Sequence, residues 1–325
     1  TCWVWKSRRM GERTDTPESR ARTKLRVIVP EEAAGMRLDR YLAEELSLFP
    51  RSQIAHRAVT VKTAANEQKL SRRIRAGEEL EIEYAEPEAA AILPENVPLN
   101  VMFENDDVVV VNKPAGMVVH PAAGNWSGTL VQGLMYHVQS LTERFGDRAR
   151  PGIVHRLDKD TSGVIVAAKH PEALAALAVQ FKKHTTEKHY LAVVKGRLPR
   201  STGTISTRIA RDPRNRKRFA VSETGGKEAV THYRVLKHYD EYSFVSLRPK
   251  TGRTHQLRVH MAYVGCPILG DSVYARGDRR FPGASLMLHA YQLTIRLPHE
   301  REPRTFTARL PERFREVLRS VAEVR

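Results

Sequence analysis

The sequence predicts an α+β protein: a mixed, mainly antiparallel sheet around a central cleft, preceded by a small N-terminal α/β lobe. Three observations carry this. Apolar runs rich in β-branched residues, many of them alternating, recur from residue 101 to residue 290 and end at Gly, Pro, Asn or Asp turns, which is the pattern of strands. Helical spacing of apolar residues is confined to a few segments. A proline-bearing stretch, AEPEAAAILPENVP at 85–98, shows neither period and separates the lobe from the rest.

Composition bounds the function. The chain has 325 residues, 41% of them hydrophobic, which suffices for two domains with buried cores. Lys and Arg number 54 against 37 Asp and Glu, a formal net charge of +17. That excess implies a polyanionic partner, nucleic acid or an acidic membrane surface. No run approaches the roughly 18 apolar residues of a spanning helix, so no membrane partner is expected. The two cysteines, Cys2 and Cys266, cannot build a disulfide framework or link a partner, which fits the reducing cytoplasm. A monomer is expected.

Residues 1–24 are rich in Arg and Ser, lack the apolar core of a signal peptide, and read as a basic, disordered tail. The chain opens on Thr1, with Met10 as a candidate start. The lobe occupies 25–84. Leu38, Tyr41, Leu42 and Leu46 share one helical face, so the spacing predicts a helix over 37–46. Arg51-Ser52-Gln53 opens a second, with Ile54 and Ala58 inward and Ser52 as N-cap. Val59–Val61 is a short strand, and Ala76-Gly77-Glu78 turns the chain into the alternating strand Leu80–Tyr84. Beyond the linker, 85–98, the body runs over 99–325.

In the body, Val101–Phe103 and Val108–Val111 read as strands around the Asn105-Asp106-Asp107 turn. VVVVNKPAGMVVHP, 108–121, reads as a buried hairpin with a Pro-Ala-Gly turn, Lys113 and His120 being free to face a ligand. Leu130, Leu134 and Met135 give an inward-facing helix over 129–136. Pro171 begins a helix ending near His184, with the stripe Leu174, Leu177, Ala178 and Phe181. Lys188–Lys195 alternates as a strand, Tyr190, Ala192 and Val194 on one face. RIARDPRNRKR, 208–218, is the most basic window and, lacking aromatics, suits phosphate rather than base contact. Strands follow at 229–236 and 242–247, then a helix from His255 that Thr254 can cap, with Leu257, Met261 and Val264 as its apolar face. A helix over 311–324 closes the chain.

At the centre lies PGIVHRLDKDTSGVIVAAK, 151–169. The apolar runs Ile153–Val154 and Val164–Ala168 bracket a polar loop, His155–Gly163. Within it Asp158 is flanked by Arg156 and Lys159, cations that keep a carboxylate ionised and aim it. Asp158 is therefore a candidate anionic nucleophile or base. Arg156, two residues earlier, alternates to the same side.

HRLDKDTSG resembles the catalytic signature of the RNA pseudouridine synthases, in the RluA/RluD-type branch that modifies internal uridines of ribosomal and transfer RNA. The segment 108–121, the K-x-Y-x-A run at 188–192, TGRTHQ at 251–256, PILGDSVY at 267–274 and LMLHA at 286–290 are similar to the same family's further landmarks. In the lobe, R-L-D-x-x-L at 37–42, R-S-x-I at 51–54 and R-A-G-E at 75–78 resemble the S4 RNA-binding domain. The stretch from Arg51 to Val59 is shorter than in that domain, and Lys62–Asn66 replaces its usual V-N-G hairpin.

The resemblance implies an isomerase that turns uridine into pseudouridine without a cofactor or metal, with large-subunit ribosomal RNA as substrate. Asp158 would be the essential carboxylate, Arg253 its ion-pair partner, and Tyr190 the aromatic against the target base. The reaction breaks N1–C1′ and joins C5 to C1′ with no exchange of electrons. The carboxylate can attack C1′ or take the C2′ proton, and both routes stay open. Arg156 would fill the space vacated by the extruded base. Arg51, Lys69, Arg72 and Arg73 of the lobe and Arg211, Arg214, Arg216, Lys217 and Arg218 of the basic window would grip phosphates. Alternatives are a synthase acting on transfer RNA, a non-catalytic S4-bearing assembly factor, and a metal-dependent hydrolase using His155, Asp158, His255 and His260.

Overall fold

A computed structural model of the protein describes residues 22–46, 48, 54, 59–63, 66–85, 92–122, 125–145, 151–213, 215 and 218–323. The expected tail up to residue 21, the helix opening at Arg51, and Arg51, Arg214, Arg216 and Lys217 themselves lie outside the described residues. The chain divides into two compact units, 1–91 and 92–325. Among the described residues no helix is long and apolar enough to cross a membrane.

The first unit contains strand β1 (Arg22–Ile28), a 3-10 turn, helical turn α1 (Leu38–Arg40), a π-helical turn over Tyr41–Glu45, and strands β2 (Thr60–Thr63), β3 (Asn66–Glu67) and β4 (Glu79–Ala85). The strands form an antiparallel sheet in the order β1-β4-β2-β3. Strand β1, not assigned from sequence and beginning inside the expected tail, alternates Leu25 and Val27 inward against Leu80 and Ile82 of β4. The helix expected over 37–46 buries Leu38, Tyr41 and Leu42 as its spacing predicts. It widens into a π turn because Leu46 N–H bonds the carbonyl of Tyr41, five residues back.

The second unit begins with residues expected in the linker. Glu95 N–H bonds Gln132 O at 3.2 Å, and the Glu95 carboxylate accepts Gly128 N–H at 2.7 Å, so 92–98 lie on the body. The elements that follow are β5 (Val101–Glu104), β6 (Val108–Lys113), α2 (Leu130–His137), α3 (Leu141–Phe145), β7 (Ser162–Ala168), α4 (Pro171–Lys183), β8 (Glu187–Lys195), β9 (Thr202–Arg211), β10 (Phe219–Val221), β11 (Lys227–His238), β12 (Tyr242–Pro249), α5 (Gln256–Tyr263), β13 (Leu288–Ile295), β14 (Arg304–Thr307) and α6 (Glu312–Ala322). One ten-stranded sheet runs β10-β9-β11-β12-β8-β13-β7-β6-β5, with β14 also on β13. Among the described residues only β13–β7 is parallel, so the expected mixed, mainly antiparallel sheet is present. Two apolar cores pack on it, one around β6, β7, α2 and α4, the other around β8, β12, α5 and α6, and Tyr190 touches both.

Strands β6 and β7 are buried on both faces, which explains their unbroken Val and Ile runs. The hairpin expected over 108–121 does not form. Lys113 is fully buried, and its Nζ donates to the carbonyls of Pro114 (2.9 Å), Met117 (2.8 Å) and Lys159 (2.9 Å). Three acceptors match the three N–H bonds of an ammonium. Lys113 therefore ties the 114–117 turn to the central loop and faces no ligand. Burial pushes this amine down to about 7, against the charges of Asp160 and Asp158.

Helix α2 is capped as its sequence suggests, Thr129 and Gln132 forming a reciprocal capping box. Helix α4 begins at Pro171 and ends on His184 in the left-handed region, φ 55°. Ala178, expected in its buried stripe, is exposed and lines the cleft. The central loop enters β7 through Gly163, whose φ of +115° disfavours a side chain. A Cβ there would lie 2.1 Å from Ala290 O, so only glycine permits the parallel approach of β7 to β13. Gly163→Ala is expected to destabilise the body by about 3 kcal/mol or more, whereas Thr129→Ala costs about 1 kcal/mol through loss of one cap. Urea unfolding of both variants checks the contrast, and equal midpoints would contradict it.

Candidate active site

A cleft of about 540 Å³ opens between the central loop, the end of α4, the start of β8 and the segment 249–258. Asp158, Arg156, Tyr190 and Arg253 all line it. The loop is anchored on both sides of its carboxylate. His155 Nε2 accepts Val166 N–H at 3.1 Å, and its ring stacks on Phe181 at 4.5 Å. Burial, with Lys188 nearby, pushes this imidazole down to about 3, so it stays neutral and can accept. Leu157 is buried, and Thr161 N–H closes a turn on Asp158 O at 3.2 Å. With Leu157 inward, Arg156 and Asp158 face out together, and Arg156 is exposed at the cleft.

The partner of Asp158 is a different arginine from the one expected. Arg253 turns away, its Nε donating to Glu228 O at 2.8 Å. Arg258, one turn into the apolar helix α5, reaches Asp158 instead, with Nη1 3.4 Å from Oδ2. The same guanidinium makes a two-point pair with Asp271, Nε–Oδ2 2.7 Å and Nη2–Oδ1 2.8 Å. One planar fork thus joins a fully buried carboxylate to one facing the cleft. Burial opposes the Arg258 charge, but Asp271 and then Asp158 outweigh it and raise its pKa. Burial alone would raise Asp271. Its bonds to Arg258 and to the amides of Val273 (2.9 Å) and Tyr274 (3.0 Å) hold it below the usual carboxylate range.

The remaining cleft groups are set by burial. Tyr190 has its phenol pushed up by burial and further by the Asp158 charge, so it presents a neutral ring beside the carboxylate. His255, expected just inside the helix behind a Thr254 cap, is itself the residue before α5 and adopts φ 57°. No side chain caps the helix; the Gln256 side-chain oxygen instead braces the preceding turn, accepting Arg253 N–H at 3.0 Å and the Thr251 hydroxyl at 2.7 Å. Arg258 and Asp271 escape a reading of sequence motifs alone. An arginine between Leu257 and Val259 on a buried helix nevertheless signals a cation in need of a carboxylate.

The basic window is divided. Arg208 donates to Gly225 O and Gly226 O from β9. Arg211 lies over the Phe219 ring at 5.2 Å and Arg218 over the Tyr274 ring at 5.3 Å. In the first unit Lys69 is exposed, but Arg72 is committed to Glu78, Nη2–Oε1 2.6 Å, and Arg73 donates to Gly35 O at 2.7 Å. Arg72 is thereby a structural ion pair rather than an open phosphate contact. The residues of the metal reading do not converge. His155 is turned to β7, and His260 lies between the hydroxyls of Thr231 and Thr207, at 2.9 and 3.0 Å.

Comparison with known proteins identifies a family. Residues 107–263 match the family model described as RNA pseudouridylate synthase. The chain is 44% identical over 286 residues to the "Ribosomal large subunit pseudouridine synthase D" of Borreliella burgdorferi, covering 86% of this chain and 87% of that protein. It is 43% identical over 293 residues to an uncharacterized RNA pseudouridine synthase of Aquifex aeolicus, covering 86% and 92%. A solved structure, human RNA pseudouridylate synthase domain containing 1, superposes with a TM-score of 0.55 at 26% identity, covering 71% of this chain and 97% of that one. On that family match and on relatives at 44% and 43% identity over most of their length, the chain belongs to the RNA pseudouridine synthases.

Proposed function

We propose that this protein isomerises uridine to pseudouridine in large-subunit ribosomal RNA, with Asp158 as the reacting carboxylate. The observation that carries this reading is the Asp271–Arg258–Asp158 arrangement, which presents one ionised carboxylate, already oriented, to a cleft of nucleotide size. The ribosomal substrate rests on relatives named for the large subunit, from Borreliella burgdorferi and Neisseria meningitidis.

The target base must leave its stack, which costs a few kcal/mol and is cheapest in loops. Tyr190 offsets part of that cost, since stacking on an aromatic ring is worth about 1–3 kcal/mol. Arg156, exposed at the cleft, is placed to occupy the vacated space. Asp158 then acts at the ribose, and Arg258 holds its charge and angle throughout. Arg253, at the cleft wall, contributes a guanidinium toward substrate rather than toward Asp158. Arg211, Arg218 and Lys69 supply phosphate contacts, which orient the RNA without reading its sequence. The first unit, with its S4-like motifs, serves as an RNA-binding module.

Asp158→Asn is expected to abolish pseudouridine formation in a ribosomal RNA fragment while RNA affinity stays within about twofold; retained turnover would refute the assignment. Arg258→Lys should lower kcat about 100-fold, because an ammonium cannot bridge two carboxylates as a fork does. Mapping pseudouridines in total RNA with and without the gene identifies the target, and a transfer-RNA site in place of a ribosomal one would redirect the reading. Asp271 also gives a pH dependence. Its carboxyl is depressed on folding, so the stability it contributes is complete above the unfolded value near 3.8 and is lost as pH falls through the folded value. Asp271→Asn should flatten that acid limb in urea titrations run at a series of low pH values. An unchanged limb would show that Asp271 is not the group responsible.

A further inference from the structure

His255 is the second cationic-capable group at Asp158, its Nε2 lying 3.9 Å from Oδ2. It owes that aim to an unusual backbone, φ 57°, at the start of α5. Its other nitrogen, Nδ1, meets the Tyr274 hydroxyl at 2.9 Å. The same hydroxyl accepts Phe219 N–H at 2.9 Å. Rings hold the imidazole in place from two sides, Phe219 at 5.7 Å and Tyr274 at 5.6 Å, both edge-on. The charged groups facing it are Asp158, Arg258, Asp271 and Arg156. Burial lowers its pKa, so the ring is neutral and carries one N–H.

Which nitrogen carries it turns on the direction of the Tyr274–His255 bond. A phenol has one O–H and accepts through its lone pairs. The Phe219 amide fills one acceptor position, and among the described residues the remaining partner of the Tyr274 oxygen is His255 Nδ1. With the phenol O–H donated to Nδ1, the imidazole N–H stands on Nε2, toward Asp158. The opposite tautomer would aim a lone pair at a carboxylate. The 3.9 Å gap exceeds a hydrogen bond and can shorten when substrate closes the cleft.

We propose that Tyr274 is a positioning residue that fixes the His255 tautomer, so that His255 Nε2–H acts as the second donor to the working Asp158 carboxylate. This rests on Asp158 being the reacting carboxylate. It also gives the basic window a physical link to the chemistry. The amide that Tyr274 accepts opens β10, directly after residues 212–218, and Arg218 and Arg258 both lie over the Tyr274 ring, at 5.3 and 5.2 Å.

Two measurements test it. In ¹⁵N-histidine NMR of the full chain, His255 should carry its proton on Nε2 in the wild type and show mixed or reversed protonation in Tyr274→Phe. A proton on Nδ1 in the wild type, or no change in the variant, overturns the proposal, and this readout needs no turnover. The second is a double-mutant cycle. Tyr274→Phe should lower kcat about tenfold or more at unchanged KM. In a His255→Gln background, whose amide turns its NH₂ toward Asp158 unaided, the same change should cost about twofold or less. Equal losses in both backgrounds would assign Tyr274 a merely structural role, because the orphaned Phe219 amide is common to both. A wild-type protein that makes no pseudouridine would count against the synthase reading, and the NMR result would still decide the tautomer.

Discussion

The geometry of the cleft depends on one guanidinium. Arg258 has only 9% of its side chain exposed, and Asp271 none, so neither charge could be buried alone. Leaving one of them unpaired would cost several kcal/mol, and together they form a rigid pair. Two of the guanidinium's three nitrogens are committed to Asp271. The third is thereby aimed, and Asp158 is the carboxylate it finds. Asp271 is in turn fixed by the amides of Val273 and Tyr274. Orientation thus passes from backbone to buried acid, to arginine, to the acid at the cleft.

The central loop receives the same treatment from below. Lys113 holds the carbonyl of Lys159 from within the core, His155 holds the amide of Val166, and Gly163 lets β7 close against β13. None of these touches the cleft's reacting space through its polar atom. Each removes a way for Asp158 to move. A loop of nine residues, 155–163, held before by the single bridge of Ile153 to Ala167 where a strand was expected, running into the fully buried β7 and pinned at three points, can keep a carboxylate exposed to substrate without leaving it free to swing.

Charge shows how far composition can be carried. The excess of +17 points to a polyanion, and the family membership agrees. Yet Arg72, Arg73, Arg253 and Arg258 each donate to a carboxylate or a carbonyl inside the protein. An arginine in a basic stretch is as apt to be a structural cross-link as a phosphate contact, because its fork satisfies buried acceptors that lysine leaves unpaired. The exposed Lys69 and Arg156 keep their charges for solvent or RNA.

By itself the sequence determined the local elements and the acid. An unbroken apolar run predicts β7, alternation predicts β8, the spacing of Leu130, Leu134 and Met135 predicts α2, and HRLDKDTSG singles out Asp158, since these signals are written within a few neighbouring residues. Tertiary structure decided what required distant segments to meet. The exchange of Arg253 for Arg258 is the clearest instance. Arg253 lies in TGRTHQ and Arg258 two residues beyond it, and a one-dimensional reading cannot say which of two arginines, five residues apart, faces a loop 95 or 100 positions earlier. With a left-handed turn at His255 and the Gln256 side chain bracing the turn before it, Arg253 lies on Glu228 and Arg258 faces inward. The burial of Lys113 and the unread strand β1 have the same cause, since their partners, at Lys159 and in β4, stand far along the chain. The carboxylate at the cleft is local information; the arginine, the buried acid and the tyrosine-held histidine around it exist only once the sheet has closed.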